Sequence, residues 1–395
     1  MKIKTIEYYN KALEWHLNKV DFTKSFSNLT LLVGVSGVGK TQIIKSILNL
    51  KRIVNGESLN GVQWDITFES TNNIEYRWKG EFENKGLIGE ILDTEDEGSK
   101  FRILNECLYK EGNEIAKRDS SKIEFKKKIT PKLSPFKSLV EILSEEEDIA
   151  PVKEGFEKII EFDSDVRIET VKERLLKLAK LLENNLENNF LEENIKKSNL
   201  PTKLKLAFVY KFLLDDVFHK IKKRFIQIFP QVEDIKIGFD KNKDLEKALE
   251  SSLFTTFLNG FTFVQIKEKG IDRWIIQQSI SSGMFKTLMQ ISELYLAPEG
   301  SVILIDEFEN SLGVNCIDVL TEDLLVQHRN LQFIITSHHP YIINNIGMEH
   351  WKIVTRRGGI VTVKDAQDFN IGKSRHQAFI QLLNLEAYSE GIAVE

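Results

Sequence analysis

The chain has 395 residues, of which 42% are hydrophobic and 29% charged, with a formal net charge of −5. This is the balance of a globular protein long enough for one large α/β domain with an insertion, or for two domains. The slight negative charge excludes a global attraction to nucleic acid, though not a local basic face.

No run reaches the roughly 18 apolar residues of a membrane span, and the first residues form no apolar signal. Cys107 and Cys316 are isolated in sequence. They read as free thiols of a cytoplasmic protein.

Short strands are expected at Lys2–Tyr9, Leu13–Leu17 and Leu29–Val33. Residues 62–69 and 74–82 alternate apolar and polar side chains around Thr71-Asn72-Asn73, which predicts an antiparallel hairpin. Leu87–Leu92, Phe101–Tyr109 and Lys122–Phe125 extend the same pattern, with Asp93–Glu97 as a solvated acidic loop. From Ser134 the pattern turns helical: Phe136–Leu143 first, then 150–229 with long periodic stretches at Val166–Leu186 and Leu204–Phe229. Asn184, Asn185, Asn188 and Asn189 suggest a bend within it, and Pro230 ends it. Strands resume at Val232–Phe239, Phe261–Lys267 and Trp274–Gln278. Strand and helix then alternate, with strands at Val302–Ile305, Leu331–Thr336, Trp351–Thr355 and Ile360–Lys364, and a helical Phe379–Leu385 follows.

Within this order, Gly34-Val35-Ser36-Gly37-Val38-Gly39-Lys40-Thr41 matches the whole G-x-x-x-x-G-K-[ST] phosphate-binding pattern, between an apolar strand and a helix that begins with Gln42. Glycines let the backbone curl so that its N–H groups face a triphosphate, and the helix adds the positive end of its dipole. Lys40 then reaches the β- and γ-phosphates, and the Thr41 hydroxyl binds Mg²⁺. Nucleotide contacts are accordingly expected at Gly34, Ser36, Gly37, Val38, Gly39, Lys40, Thr41 and Gln42.

Ser301-Val302-Ile303-Leu304-Ile305-Asp306-Glu307 is an apolar run ending in two carboxylates. In a P-loop protein the first, Asp306, holds the Mg²⁺ shell. Glu307 is then placed beside the γ-phosphate as general base. Leu331-Gln332-Phe333-Ile334-Ile335-Thr336 runs into Ser337-His338-His339-Pro340, where His338, or failing that His339, can hydrogen-bond the γ-phosphate. Ile280-Ser281-Ser282-Gly283-Met284 precedes an apolar helix, and the free N–H groups at such a helix start can bind an anion.

Together these segments resemble the ATP-binding-cassette ATPase head of the SMC, break-repair and OLD-nuclease type. The order is that family's: Walker A, a helical insertion, a serine-glycine signature, Walker B with Asp-Glu, and a switch histidine. The signature departs from Leu-Ser-Gly-Gly-Gln, since Ser281 and Gly283 carry over and the closing glutamine does not. Phe308-Glu309-Asn310-Ser311-Leu312-Gly313 stands at the D-loop. No glutamine marks the Q-loop, although the turn Leu133-Ser134-Pro135-Phe136-Lys137-Ser138 falls near its place.

The implied fold is α/β: a parallel P-loop core sheet plus an antiparallel β subdomain, with a short helical insertion. Residues 1–133 would form the N-terminal lobe, 134–230 the insertion and 231–395 the C-terminal lobe. The resemblance further implies a composite site, in which ATP and Mg²⁺ on one copy are capped by Ser281, Ser282 and Gly283 of a second copy. Hydrolysis through Glu307 would release this homodimer or higher homo-oligomer. Among family members, stand-alone prokaryotic OLD-like ATPases are the most similar in layout, in particular the ATPase subunit of PARIS-type anti-phage systems. That points to a sensor, triggered by a phage-derived protein or nucleic acid, that governs a separate effector such as a nuclease. Too few residues follow Lys364 for a nuclease domain here.

Two other readings are open. One is an SMC-like or RecF-like repair ATPase that binds DNA directly through Lys220, Lys222, Lys223 and Arg224 or Lys126-Lys127-Lys128. The other is a nucleotide-locked scaffold with little turnover.

Overall fold

The structure of the protein is a computed structural model. It describes the chain except residues 24–27, 87–99, 120–121, 132, 163–177, 179–187, 199, 213–216, 240–261, 311–313, 327–328, 370, 373–374 and 393–395. The expected strand at Leu87–Leu92, the acidic run Asp93–Glu97, nearly all of the Val166–Leu186 stretch, Asn184, Asn185 and the end of the D-loop segment lie outside the described residues. Two compact units result. The first comprises Met1–Glu161, Glu299–Phe308 and Asp323–Glu395; the second comprises Phe162–Pro298 and Glu309–Glu322.

The first unit is built on one sheet, whose early strands are β1 (Lys2–Asn10), β2 (Trp15–Asp21), β3 (Leu29–Val33), β4 (Val62–Glu69) and β5 (Glu75–Phe82). There follow β6 (Ile103–Lys110), β7 (Asn113–Arg118), β8 (Ile123–Phe125), β9 (Lys128–Ile129) and β10 (Ile159–Glu161). Strands β11 (Val232–Phe239), β12 (Thr262–Glu268) and β13 (Ile275–Ile276) belong to the second unit. The first is completed by β14 (Val302–Ile305), β15 (Gln332–Thr336), β16 (Trp351–Arg357) and β17 (Ile360–Asp365). The sheet order is β10-β14-β15-β3-β16-β17-β2-β1-β4-β5-β6-β7-β8-β9.

Strands β10, β14, β15, β3 and β16 pair in parallel with one another in that order, and β16 then pairs antiparallel with β17. Every residue of β3, β14 and β15 is buried, as a parallel sheet covered on both faces requires. The strands from β4 to β9 are antiparallel, and β4 and β5 alternate buried with more exposed positions. The α/β class, parallel core and antiparallel extension are those expected from the sequence.

Helices of this unit include α1 (Lys40–Val54), α2 (Leu139–Ile142) and α3 (Ala150–Glu157). Helix α1 buries Ile43, Ile44, Ile47, Leu50, Ile53 and Val54, the 3.6-residue stripe that the sequence carries. Phe156 of α3 meets Phe68 and Trp78 edge-on, at centroid distances of 5.3 and 5.4 Å, so it closes an aromatic core against the antiparallel strands.

The structure departs from the expected elements in two places. The stretch expected to be helical from residue 150 is broken by β10, whose three residues pair in parallel with Val302–Leu304. Strand β7 had no separate signal, and it pairs with β6 through a register shift.

The second unit holds α4 (Asn188–Lys197), α5 (Thr202–Phe212), α6 (Val217–Ile228) and α7 (Ser282–Leu296), with the small sheet β11-β12-β13. Helix α7 packs on α5 and α6. Lys205 is buried, and desolvation lowers its pKa although Glu293 opposes this. The Glu293 carboxylate accepts from the Thr202 hydroxyl. The basic face of α6 is partly engaged, because Lys222 pairs with Asp234 at 2.6 Å and Arg224 hydrogen-bonds Gln227 at 3.3 Å. In the first unit Lys126 pairs with Asp148 at 2.5 Å. Helix α8 (Val314–Val326) follows; no described helix is long and apolar enough to cross a membrane.

Glu106 on β6 is fully buried opposite Arg118 on β7, whose guanidinium nitrogens have no hydrogen-bond partner. Its carboxylate accepts from the Trp78 indole N–H at 2.9 Å and from the Leu139 N–H at 2.8 Å. Burial pushes its pKa from 4.5 up to about 7, against the pull of Arg118 and these donors. The folded chain therefore keeps a proton that the unfolded chain loses between those values, so this group's contribution falls as pH rises through that window. We predict a loss of about 3 kcal/mol from this group between pH 4.5 and 8. Denaturant unfolding at several pH values checks this, and Glu106→Gln, which keeps an acceptor oxygen, should flatten the dependence.

Candidate functional site

The three buried parallel strands β3, β15 and β14 end side by side, and the polar residues of the sequence motifs begin where they end. Beyond β3 the chain turns through Gly34–Gly39 into α1, with Lys40 as its first residue. Gly39 has φ 102°, and a Cβ there would lie 2.9 Å from Val361 Cγ2. A Cβ on Gly34 would lie 2.6 Å from the Val354 carbonyl oxygen. Both approaches need glycine, and they fasten the loop to the β16–β17 hairpin. At Gly37, by contrast, nothing lies within 4 Å of the position a Cβ would take. Ser36, Gly37 and Gln42 are exposed, and Thr41 is half-buried.

Lys40 is only 5% exposed. Its ammonium donates to the Gly34 and Val35 carbonyl oxygens at 2.7 and 3.0 Å, which holds the side chain folded over the loop. The same nitrogen lies 3.4 Å from His338 Nδ1. His339 does something else: its Nδ1 accepts the Tyr341 N–H at 3.3 Å and caps α9 (Pro340–Asn345). Between the two adjacent histidines, geometry thus assigns the loop-facing position to His338.

Asp306 and Glu307 follow β14, and both are exposed. The Thr336 hydroxyl donates to Asp306 Oδ1 at 2.6 Å and accepts the Glu307 N–H at 2.8 Å. The Phe308 N–H donates to the Thr336 carbonyl at 3.0 Å. These bonds hold Glu307 at φ 49°, a left-handed conformation that a non-glycine residue rarely adopts. Sequence reasoning did not single out Thr336, since a β-branched residue at a strand end gives no functional signal.

Glu161 is a second missed residue. It ends β10, next to β14, and its pKa is raised by burial and then by the Asp306 charge, while Lys45 and Lys51 pull it down. The turn Leu133–Ser138, set near the place of a Q-loop by the sequence, is tied to β6. Ile103 N–H bonds the Pro135 carbonyl at 2.9 Å, and Ser138 caps α2. The strand beside Asp306 is β10, so the neighbouring polar residue is Glu161.

A cleft of about 520 Å³ runs beside α1, lined by Gln42, Lys45, Asn49, Trp15, Glu161 and Arg356 among others. Its size suits a small ligand. The Trp15 indole N–H is buried without a partner, and it lies 3.7 Å from the position a Gly39 Cβ would take. Arg356 Nη1 bonds the Gly37 carbonyl at 3.4 Å.

In the second unit, Ser281 caps α7, its side chain accepting the Met284 N–H at 3.3 Å. Ser281 and Ser282 are exposed and Gly283 is half-buried. Among the described residues no group of three His, Cys, Asp or Glu side chains forms a metal cage. The oxygen donors Thr41 and Asp306 nonetheless fit Mg²⁺, which needs few protein ligands where phosphate and water supply the rest.

Over residues 29–344 the sequence matches the family described as "AAA domain, putative AbiEii toxin, Type IV TA system" (AAA_21), and the chain belongs to that family. No curated protein matches it. Among solved structures it is similar to an Smc head bound to the C-winged helix domain of ScpA, with 14% identity, a TM-score of 0.49, and 92% of this chain and 97% of that one covered. Another is the SMC head domain from Thermotoga maritima, with 13% identity, a TM-score of 0.41, and 92% and 99% covered. A third is the Smc head with coiled coil and joint from Pyrococcus yayanosii, with 12% identity, a TM-score of 0.46, and 97% and 99% covered.

Thr336→Val removes the acceptor of the Glu307 N–H and the donor to Asp306. It should cost about 1–3 kcal/mol of stability in denaturant unfolding, whereas Thr336→Ser, which keeps the hydroxyl, should lose much less.

Proposed function

We propose that this AAA-domain protein is an ATP-hydrolysing ABC-type head, two or more copies of which close on ATP to govern a separate effector in prokaryotic anti-phage defence. The observation that carries the nucleotide part of this reading is the 3.4 Å approach of Lys40 Nζ to His338 Nδ1, beside the Thr336-linked Asp306 and Glu307. A cation and a histidine meet at the loop with the phosphate-binding sequence, and the two carboxylates follow the strand next to the one that ends in the histidine.

The loop N–H groups and the α1 dipole would bind the phosphates. Lys40, now satisfied by its own loop carbonyls, would turn its donors to the β- and γ-phosphates. Thr41 and Asp306 would hold Mg²⁺, which, when bound, neutralises phosphate charge in the transition state. Glu307 would accept a proton from the attacking water as its oxygen bonds the γ-phosphorus and the bond to the ADP oxygen breaks. His338 would hydrogen-bond the γ-phosphate. Glu161, from the other flank of Asp306, is positioned to orient the water shell.

Ser281, Ser282 and Gly283 would act in trans, capping the nucleotide of a second copy with the N-terminal N–H groups of α7. The defence role rests on two supports: the layout shared with stand-alone OLD-like ATPases, and a family description that names a toxin of a type IV toxin–antitoxin system. The effector, a nuclease in this reading, would be another protein. The direct DNA reading has less support, because Lys222, Arg224 and Lys126 already have partners.

Lys40→Ala should abolish nucleotide binding in a fluorescent-nucleotide titration. Glu307→Gln should bind ATP normally, lose turnover by at least about 100-fold, and shift to paired heads in ATP by size-exclusion chromatography with light scattering. Unchanged turnover in Glu307→Gln would refute the assignment.

A further inference from the structure

Beyond β17 the chain forms α10 (Arg375–Asn384) and α11 (Glu386–Ser389), then reaches Gly391. This segment packs on two elements that adjoin the strands of the candidate nucleotide site. Helix α10 packs on α9, the helix capped by His339 and following directly on His338. Helix α11 packs on β16. Ala378, Leu382 and Ala387 are fully buried, so the docking is apolar and close.

The contact at Gly391 is the most specific. Its carbonyl accepts the Arg356 N–H at 2.7 Å, extending the hydrogen bonding of β16 by one partner. Its Cα faces the outer side of the phosphate-binding loop, where a Cβ would lie 2.7 Å from both Val35 Cγ2 and Val38 Cγ1. With φ at 68°, the position suits glycine on conformational grounds as well. Val38 is 4% exposed although it belongs to a surface loop. The loop is thus walled on its outer side by Val354, Val361 and Gly391, while Ser36 and Gly37 stay open on the other.

We propose that Arg375–Ile392 is a strap that positions the phosphate-binding loop, and that its docking on Val35 and Val38 is thermodynamically coupled to nucleotide binding. A glycine-rich loop must be ordered to present its N–H groups, and a wall that orders it beforehand removes that cost from binding. Coupling is reciprocal, so nucleotide must also tighten the strap. The inference rests on residues 34–41 being the nucleotide site.

The test compares the full chain, a chain lacking Glu386–Ile392, Gly391→Ala and Lys40→Ala. Each is titrated with fluorescent ATP in Mg²⁺. The deletion should raise Kd roughly tenfold, within the usual range of coupling between sites. Gly391→Ala, which forces a Cβ against the two valines, should act in the same direction. Hydrogen exchange on the unaltered chain gives a second readout that needs no variant to fold. Saturating nucleotide should slow exchange across residues 386–392 and at the Arg356 amide. If the full chain binds nucleotide, Lys40→Ala does not, and both the deletion and the exchange pattern leave binding and strap unchanged, the strap is overturned while the nucleotide site stands. If the full chain and Lys40→Ala behave alike, the nucleotide site itself is wrong and the strap falls with it.

Discussion

The Thr336 hydroxyl bonds the Asp306 carboxylate and the Glu307 amide at once. It can do so because β15 lies beside β14, whose last residue Ile305 pairs with Ile335, so that Thr336 stands one residue past the end of that strand, opposite Leu32 of β3. That placement ties the Asp306 side chain and the Glu307 backbone to one hydroxyl, with Glu307 held in the left-handed region. It also delivers His338, two residues after Thr336, to Lys40 at the start of α1. A shift of β15 by one residue would turn Thr336 to the other face of the sheet and lose all three relationships.

Around this junction, charge is managed by proximity. Lys40 is buried but bonded to two carbonyls, which lowers the cost of removing an ammonium from water. Glu161 shares a sheet edge with Asp306, and burial together with that neighbouring carboxylate raises its pKa, while Lys45 and Lys51 offset the crowding. The loop itself is shaped from outside, by β16 and β17 against Gly34 and Gly39 and by Gly391 against the valines. Glycine is needed at three of these approaches because backbone or methyl groups come within 3 Å of the missing side chain.

The second unit follows a different logic. Helix α6 buries Val217, Phe218, Ile221, Phe225 and Ile228, and its charged side chains occupy the remaining face. Helix α7, which begins at the candidate signature, carries Glu293 into the interior, where Thr202 donates to it and Lys205 adds positive charge. A polar contact of this kind restricts how α7 can sit on α5, because leaving either charged group unpaired in the interior is costly.

Local sequence was enough for the phosphate-binding loop, for the apolar strands ending in Asp306-Glu307 and in Ser337-His338-His339, and for the period-2 hairpin of β4 and β5. Each of these is written in consecutive residues, as a glycine pattern or a run of β-branched and aromatic side chains. The three residues of β10 carry no period, so they were absorbed into the surrounding helical pattern; only pairing with β14 makes them a strand. The part played by Thr336, the proximity of Glu161 to Asp306 and the seat of Gly391 on Val35 and Val38 were likewise not legible. Each joins residues far apart along the chain. Sequence determined which residue types were available and at which strand ends they stood. Tertiary structure decided which of them meet, because neighbours in a parallel sheet are set by long-range burial that no local periodicity encodes.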